Sequence, residues 1–254
     1  MMEMEGATGP GIRSVGDELE ARGLEVVARL RQDPFFRRLS AGEVDAEEYA
    51  AYLMQIHRWI RHAIRGLKGH ADAMLARAAR DPRQRPYATS ADRHTEEEVG
   101  HDQLILDDLA VLWSCTPDEA LGRIDREEAA PSAHEWERTL DGLLARYPAA
   151  FSGIAVAIET VSGHIVDEMV VNLRERSGIP NIDRALSFLE HHSSDVEGGH
   201  VGSAKMRVDA LTSPAERTAA FYYGTASLAM FEAMHRYLAE RFGARQRELV
   251  GAEA

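Results

Sequence analysis

Three carboxylate–imidazole pairs recur at helical spacing in this chain: Glu98/His101, Glu197/His200 and Glu232/His235. Residues three apart on a helix share a face, so each pair offers an oxygen and a nitrogen donor to one neighbour. With 42 acidic residues and 11 histidines in 254, chance matches of this spacing are expected, and the direction each pair faces has to separate them. In "HTEEEVGHDQLILDDLAVL", His94 to Leu112, the Glu98/His101 stripe runs on into Ile105, Leu109 and Leu112. That predicts a pair turned toward the core. Glu232 and His235 lie in "AMFEAMHRYLAER", whose polar face assigns them to the surface.

Glu159 stands in "AFSGIAVAIETVSGHIV", Ala150 to Val166, a run apolar or small on every face. An ionised carboxylate there costs several kcal/mol unless a cation pairs with it or a metal binds it. No Lys or Arg lies within two turns of it along the chain, so the ordinary alternative is an arginine from another helix, such as Arg58, Arg61 or Arg65. His164, five positions on and about 140° around the helix, is expected to pack or to support a ligand from behind.

The third constellation is "HHSSDVEGGH", His191 to His200. His191 and Asp195 share one helical face, and Glu197 and His200 another. The glycines at 198 and 199 admit two readings: a polar helix end, or a ligand-bearing helix that flexes. Carboxylates and imidazoles gathered from several helices are what a dinuclear iron or manganese centre requires. Zinc fits less well, since its sites favour thiolates or fewer ligands.

Helices must position these groups. Apolar residues recur at helical spacing, as in Tyr49, Leu53, Ile56, Ile60, Ala63 and Leu67, and two-residue alternation is missing, which predicts an all-α chain. Prolines and glycines divide it into helices near 16–32, 45–79, 88–113, 117–125, 132–146, 149–175, 181–197 and 214–242. Residues 1–14 are expected to be disordered, 15–245 to form one domain and 246–254 a tail. The formal charge of −13 argues against nucleic acid and anionic membrane as partners. A single cysteine, Cys115, and the polar opening "MMEMEGATGPGIRS" give the expectation of a cytoplasmic protein.

"LSAGEVDAEEYAAYLMQIHRWI" (39–60), then "HTEEEVGHDQLILDDLAVL", then a buried helix with Glu159, then a His/Asp-rich helix, together resemble the haem-oxygenase-like diiron oxidases and oxygenases, relatives of the TenA- and PqqC-type bundles. The similarity spans about residues 20 to 240. It implies a haem-oxygenase-like bundle of about seven core helices, two irons, and dioxygen used to oxidise a small-molecule substrate by N-oxygenation, oxidative C–C cleavage or desaturation. It also implies a homodimer. Carried over, Glu98 and His101 match the family's Glu-x-x-His, and Glu159 its bridging carboxylate. His191 and Asp195 match the start of its His-x-x-x-Asp-x-x-His helix, whose last histidine falls on Gly198 here, with His200 two positions later. The resemblance therefore implies the metal ligands Glu98, His101, Glu159, His191, Asp195 and His200, with a bulge turning His200 inward. A shifted register using Glu197 and His200, or loss of one metal, is the alternative.

Two other classes stay open. One is a metal-free enzyme of the TenA or PqqC type, whose thiaminase-like form needs a nucleophilic cysteine in the pocket, a role only Cys115 could take. The other is a non-catalytic helical interaction protein. Trp59, Tyr222 and Tyr223 are the candidate substrate contacts.

Overall fold

The computed structural model describes residues 13–252, with the side chains of Asp195 and of 244–252 outside the description. The disorder expected for 1–14 thus falls almost wholly on residues that are not described. The chain is all-α, and no strand occurs among the described residues. In order the helices are α1 (Val15–Leu30), α2 (Pro34–Ala41), α3 (Ala46–Arg80), α4 (Arg85–Glu98), α5 (His101–Trp113), α6 (Pro117–Arg126), α7 (Pro131–Arg146), α8 (Ser152–Arg176), α9 (Ser187–His191), α10 (Ser194–Asp209) and α11 (Pro214–Ala252). The last continues past 245, so helix covers most of the tail expected at 246–254.

Local chemistry starts these helices where the sequence punctuation stands. Asp45 and Glu48 form a reciprocal capping box at α3, and Thr116 and Glu119 another at α6 with Pro117 in the first turn. Each satisfies backbone N–H groups that a helix start leaves orphaned. The same device explains α2, absent from the expected helices: Asp33 accepts from the Phe36 amide and Pro34 follows it directly. Asp-Pro there opens a short helix rather than a loop.

α8 is the axis of the bundle, with α1, α2, α10 and α11 packed around it and α3 across the interior, flanked by α4, α5 and α7. Pro148–Arg176 is long and apolar enough to cross a membrane, but 72% of its most apolar window is buried inside the bundle. Packing on all sides accounts for that composition. α3 and α7 are joined by Trp59 and Trp136, stacked with centroids 4.7 Å apart and planes 6° from parallel, while Trp136 Nε1 donates to the Trp59 carbonyl at 3.1 Å.

Two expected helices are each broken in two. The 88–113 segment breaks at Val99–Gly100, where Gly100 has φ 103, a left-handed conformation open to glycine at no steric cost. The 181–197 segment becomes a 3₁₀ turn, the short α9, a break at His192–Ser193, and α10. α10 then runs straight through Gly198 and Gly199 to Asp209, so the paired glycines neither stop nor bulge it.

α9 begins at Leu186, which has no capping oxygen; the buried Asp108 of α5 substitutes, accepting from the Ser187 amide at 3.0 Å and the Phe188 amide at 2.9 Å. Burial lifts its carboxyl to about 6 against the opposing pull of these amides. Asp108→Ala leaves two helix-start amides without their acceptor, an expected loss of about 1–3 kcal/mol. A chain of this size should then melt several degrees lower by calorimetry; an unchanged midpoint would show that α9 does not depend on this cap.

Candidate metal centre

Seven side chains converge where α4, α5, α8 and α10 meet the α9–α10 break: His94, Glu98, His101, Glu159, His192, Glu197 and His200. Two trios stand out, each with ligand atoms within 4.8 Å of one another: Glu98/His101/His192 and His94/Glu159/His200. Glu98 spans them. Its Oε2 lies 2.9 Å from His101 Nδ1 and 3.9 Å from His192 Nε2, while its Oε1 lies 3.5 Å from His200 Nδ1 and 3.9 Å from His94 Nε2. Glu159, expected to bridge, approaches His94 at 3.0 Å and belongs to one trio.

The local structure explains how each arrives. His94 and Glu98 are four apart on α4, and the Gly100 turn brings His101 back against Glu98 at the head of α5. On α10, Glu197 and His200 face inward while Gly198 and Gly199 are exposed. Gly163 of α8 makes room for them: a Cβ there would lie 2.9 Å from Glu197 Cβ. Glu197 and His200 thus share the inward face of an unbulged α10.

Hydrogen bonding from behind decides which ring nitrogens are free. His192 Nδ1 lies 2.8 Å from the Phe188 carbonyl, and His200 Nε2 lies 3.1 Å from Glu97 Oε2. Those outer nitrogens carry the proton and the inner ones present a lone pair, the arrangement metal-ligating histidines adopt. His94 is reversed. Arg207, completely buried, donates to His94 Nδ1 at 2.9 Å and also to Ser90 Oγ at 2.8 Å and Ser203 Oγ at 3.1 Å. A guanidinium only donates, so the His94 ring proton sits on Nε2 and must leave if that atom is to ligate. Burial alone would lower the His94 pKa, but the Glu159 carboxylate turns the net shift upward.

The donor set fits a metal. Glu159 Oε2, Glu197 Oε2, His94 Nε2, His101 Nδ1 and His200 Nδ1 are buried with no well-aligned hydrogen-bond partner among the described residues, although His101 Nδ1 lies 2.9 Å from Glu98 Oε2 and His94 Nε2 3.0 Å from Glu159 Oε1. Close approach without hydrogen-bond alignment is what donors aimed at a common ion produce. Charge agrees. Burial and then the charges of Glu159 and Glu98 push the Glu197 pKa well above 4.5. At Glu98 burial is outweighed by His101, His192 and His94, which hold it near 2.

Of the residues singled out in the sequence, Glu98, His101, Glu159 and His200 are brought together. His191 stands at the edge: it is exposed, with its ring 5.9 Å from that of His101 and Nδ1 2.8 Å from the Ser187 carbonyl, while the buried His192 enters the cluster. The Asp195 side chain lies outside the described residues. Arg58, Arg61 and Arg65 turn away to backbone carbonyls, Asp125 and Asp141 respectively, so none clamps Glu159. His164 is exposed, and His235, assigned to the surface, is fully buried among Phe36, Tyr52 and Phe231. Sequence reasoning missed His94, His192 and Arg207. His94 carried a signal, being four residues before Glu98 on the same stripe.

No family model matches the chain, and no curated protein does. Solved structures do. A domain of unknown function with a haem-oxygenase-like fold from Shewanella denitrificans superposes with TM-score 0.70 at 16% identity, over 93% of this chain and 96% of that one. A TenA homologue from Pseudomonas syringae gives 0.66 at 14%, over 92% and 98%. A CADD-like protein of unknown function from Nostoc punctiforme gives 0.63 at 16%, over 89% and 97%. The chain has the haem-oxygenase-like fold.

Glu197 supplies a pH test of the metal-free protein. Its folded pKa is raised, so its burial carries no penalty below the ordinary carboxylate value, and stability is lost as pH rises from there through the folded pKa. Metal-free Glu197→Gln should therefore melt above the metal-free wild type at alkaline pH, with the gap closing toward pH 4.5. Equal midpoints at all pH values would mean that Glu197 is not held in the cluster.

Proposed function

We propose that the chain is a non-haem iron oxidase or oxygenase that holds two ions in this cluster and uses dioxygen to oxidise a small organic molecule. The supporting observation is the set of buried donor atoms without an aligned hydrogen bond: His101 Nδ1 in one trio, His94 Nε2, Glu159 Oε2 and His200 Nδ1 in the other, and Glu197 Oε2 beside them. Iron would supply the redox chemistry and dioxygen binding that side chains lack. Glu98, His101 and His192 would hold one ion and His94, Glu159 and His200 the other, with Glu98 reaching both and Glu197 beside them. Manganese suits the same donors.

The chain's own residues prepare the site. Phe188 and Glu97 fix the His192 and His200 rings through their outer nitrogens, keeping the inner lone pairs turned to the centre. Arg207 sets His94 in place and adds one positive charge behind the three carboxylates. Burial and then the charges of Glu159 and Glu98 hold the Glu197 pKa well above 4.5, and cations held beside it would draw that pKa down. The apolar walls around the cluster exclude water from the reacting region.

A metal-free enzyme of the TenA type is the second reading, favoured by the likeness to a TenA homologue. Its thiaminase-like form is weakened by Cys115, which sits between α5 and α6 and is not among the residues lining the cavity beside the cluster.

Anaerobic titration with Fe(II) should give two ions per chain. His192→Ala and Glu98→Ala should weaken uptake by about tenfold or more, and the exposed His191→Ala should not. No uptake, or equal losses in His191→Ala and His192→Ala, would overturn the reading.

A further inference from the structure

The cluster forms one wall of a cavity of about 120 Å³. The rest of that wall is apolar and strongly aromatic, including Trp59, Trp136, Phe151, Ala155, Phe188 and Phe231. Apart from Tyr52, every ionisable side chain lining it belongs to the cluster, and no Lys, Arg or Asp does. Burial raises the Tyr52 pKa, so this phenol stays neutral. An ammonium or guanidinium group taken into the apolar end would meet no carboxylate, and a carboxylate there would meet no cation. Either would be an unpaired buried charge, costing several kcal/mol. An uncharged apolar group meets no such penalty, and a dry apolar cavity of about 150 Å³ accepts a molecule the size of benzene.

We propose that this cavity binds the uncharged apolar body of the substrate, a six-membered ring or an alkyl group of similar bulk, with the reacting end against Glu98, Glu159 and His192. A molecule that must carry a charge into the apolar end is excluded from it. The substrate class rests on the oxidase reading above, whereas binding of the apolar body needs no turnover and is measured separately.

Two of the chain's three tryptophans, Trp59 and Trp136, line the cavity, so Trp113→Phe leaves fluorescence reporting on it alone. Ethylbenzene and zwitterionic 4-(aminomethyl)benzoic acid, which share a ring but of which the second carries a charge at each end of it, are titrated against this full-length protein, metal-free and loaded with Fe(II) under argon. Ethylbenzene should give a saturable change and the zwitterion none. Ala155→Phe fills the cavity, and Ala63→Leu fills it more gently should the first variant lose its helical circular dichroism. Either folded variant should weaken ethylbenzene binding by about tenfold or more. The zwitterion binding as tightly as ethylbenzene, or ethylbenzene binding unchanged in the filled variants, would overturn the proposal. Iron stoichiometry on the same samples separates the two readings. No ethylbenzene response with iron uptake intact overturns the substrate class alone; ethylbenzene bound without iron uptake supports the apolar cavity and overturns the oxidase.

Discussion

Three carboxylates, Glu98, Glu159 and Glu197, are held nearly out of water in one cluster, with side-chain exposures of 11%, 12% and 2%. Like charges at such proximity repel, and burial removes the solvent that would screen them. Within the protein the compensation is partial. One guanidinium, Arg207, lies behind His94. Burial and the neighbouring carboxylates push the Glu197 pKa well above 4.5, and several donors have no aligned hydrogen bond. The fold tolerates this because the bundle around it is large and well packed, as the buried apolar residues along α8 from Ile154 to Leu173 attest.

The geometry that gathers these groups comes from interruptions rather than from regular helix. At Gly100 a left-handed residue folds His101 back onto Glu98, and at His192–Ser193 the chain turns so that a neighbour of the expected ligand reaches the site. Asp108 anchors the second interruption by capping α9 from α5. The same helices carry the aromatic side chains of the adjoining cavity, so metal donors and apolar wall are positioned by one framework. The oxidation of an uncharged ring or alkyl group is the chemistry we propose for this pairing.

Much of the fold was legible in the sequence because helix periodicity and capping chemistry are local. The long helices α1, α3, α7 and α8 fall close to their expected limits, and the burial of Glu159 followed from the apolar residues around it. α2 was hidden by an Asp-Pro pair that reads as well for a turn as for a helix start. The choice of His192 over His191 depended on a break held by Asp108, 84 positions upstream of His192 in the sequence, and no local pattern encodes that. Arg207 was invisible for the same reason: its partners, Ser90 and His94, belong to another helix. The paired glycines misled in the other direction, since on the exposed side of α10 they cost helix propensity without ending it.

Crystals of the Fe(II)-loaded protein, measured by anomalous diffraction at the iron absorption edge, test the central claim most directly. Two peaks are expected in each chain, one bounded by Glu98, His101 and His192 and the other by His94, Glu159 and His200, with Glu98 between them. No peak at the cluster, or a closed cluster in which Arg207 turns from His94 to pair with Glu159, would contradict it.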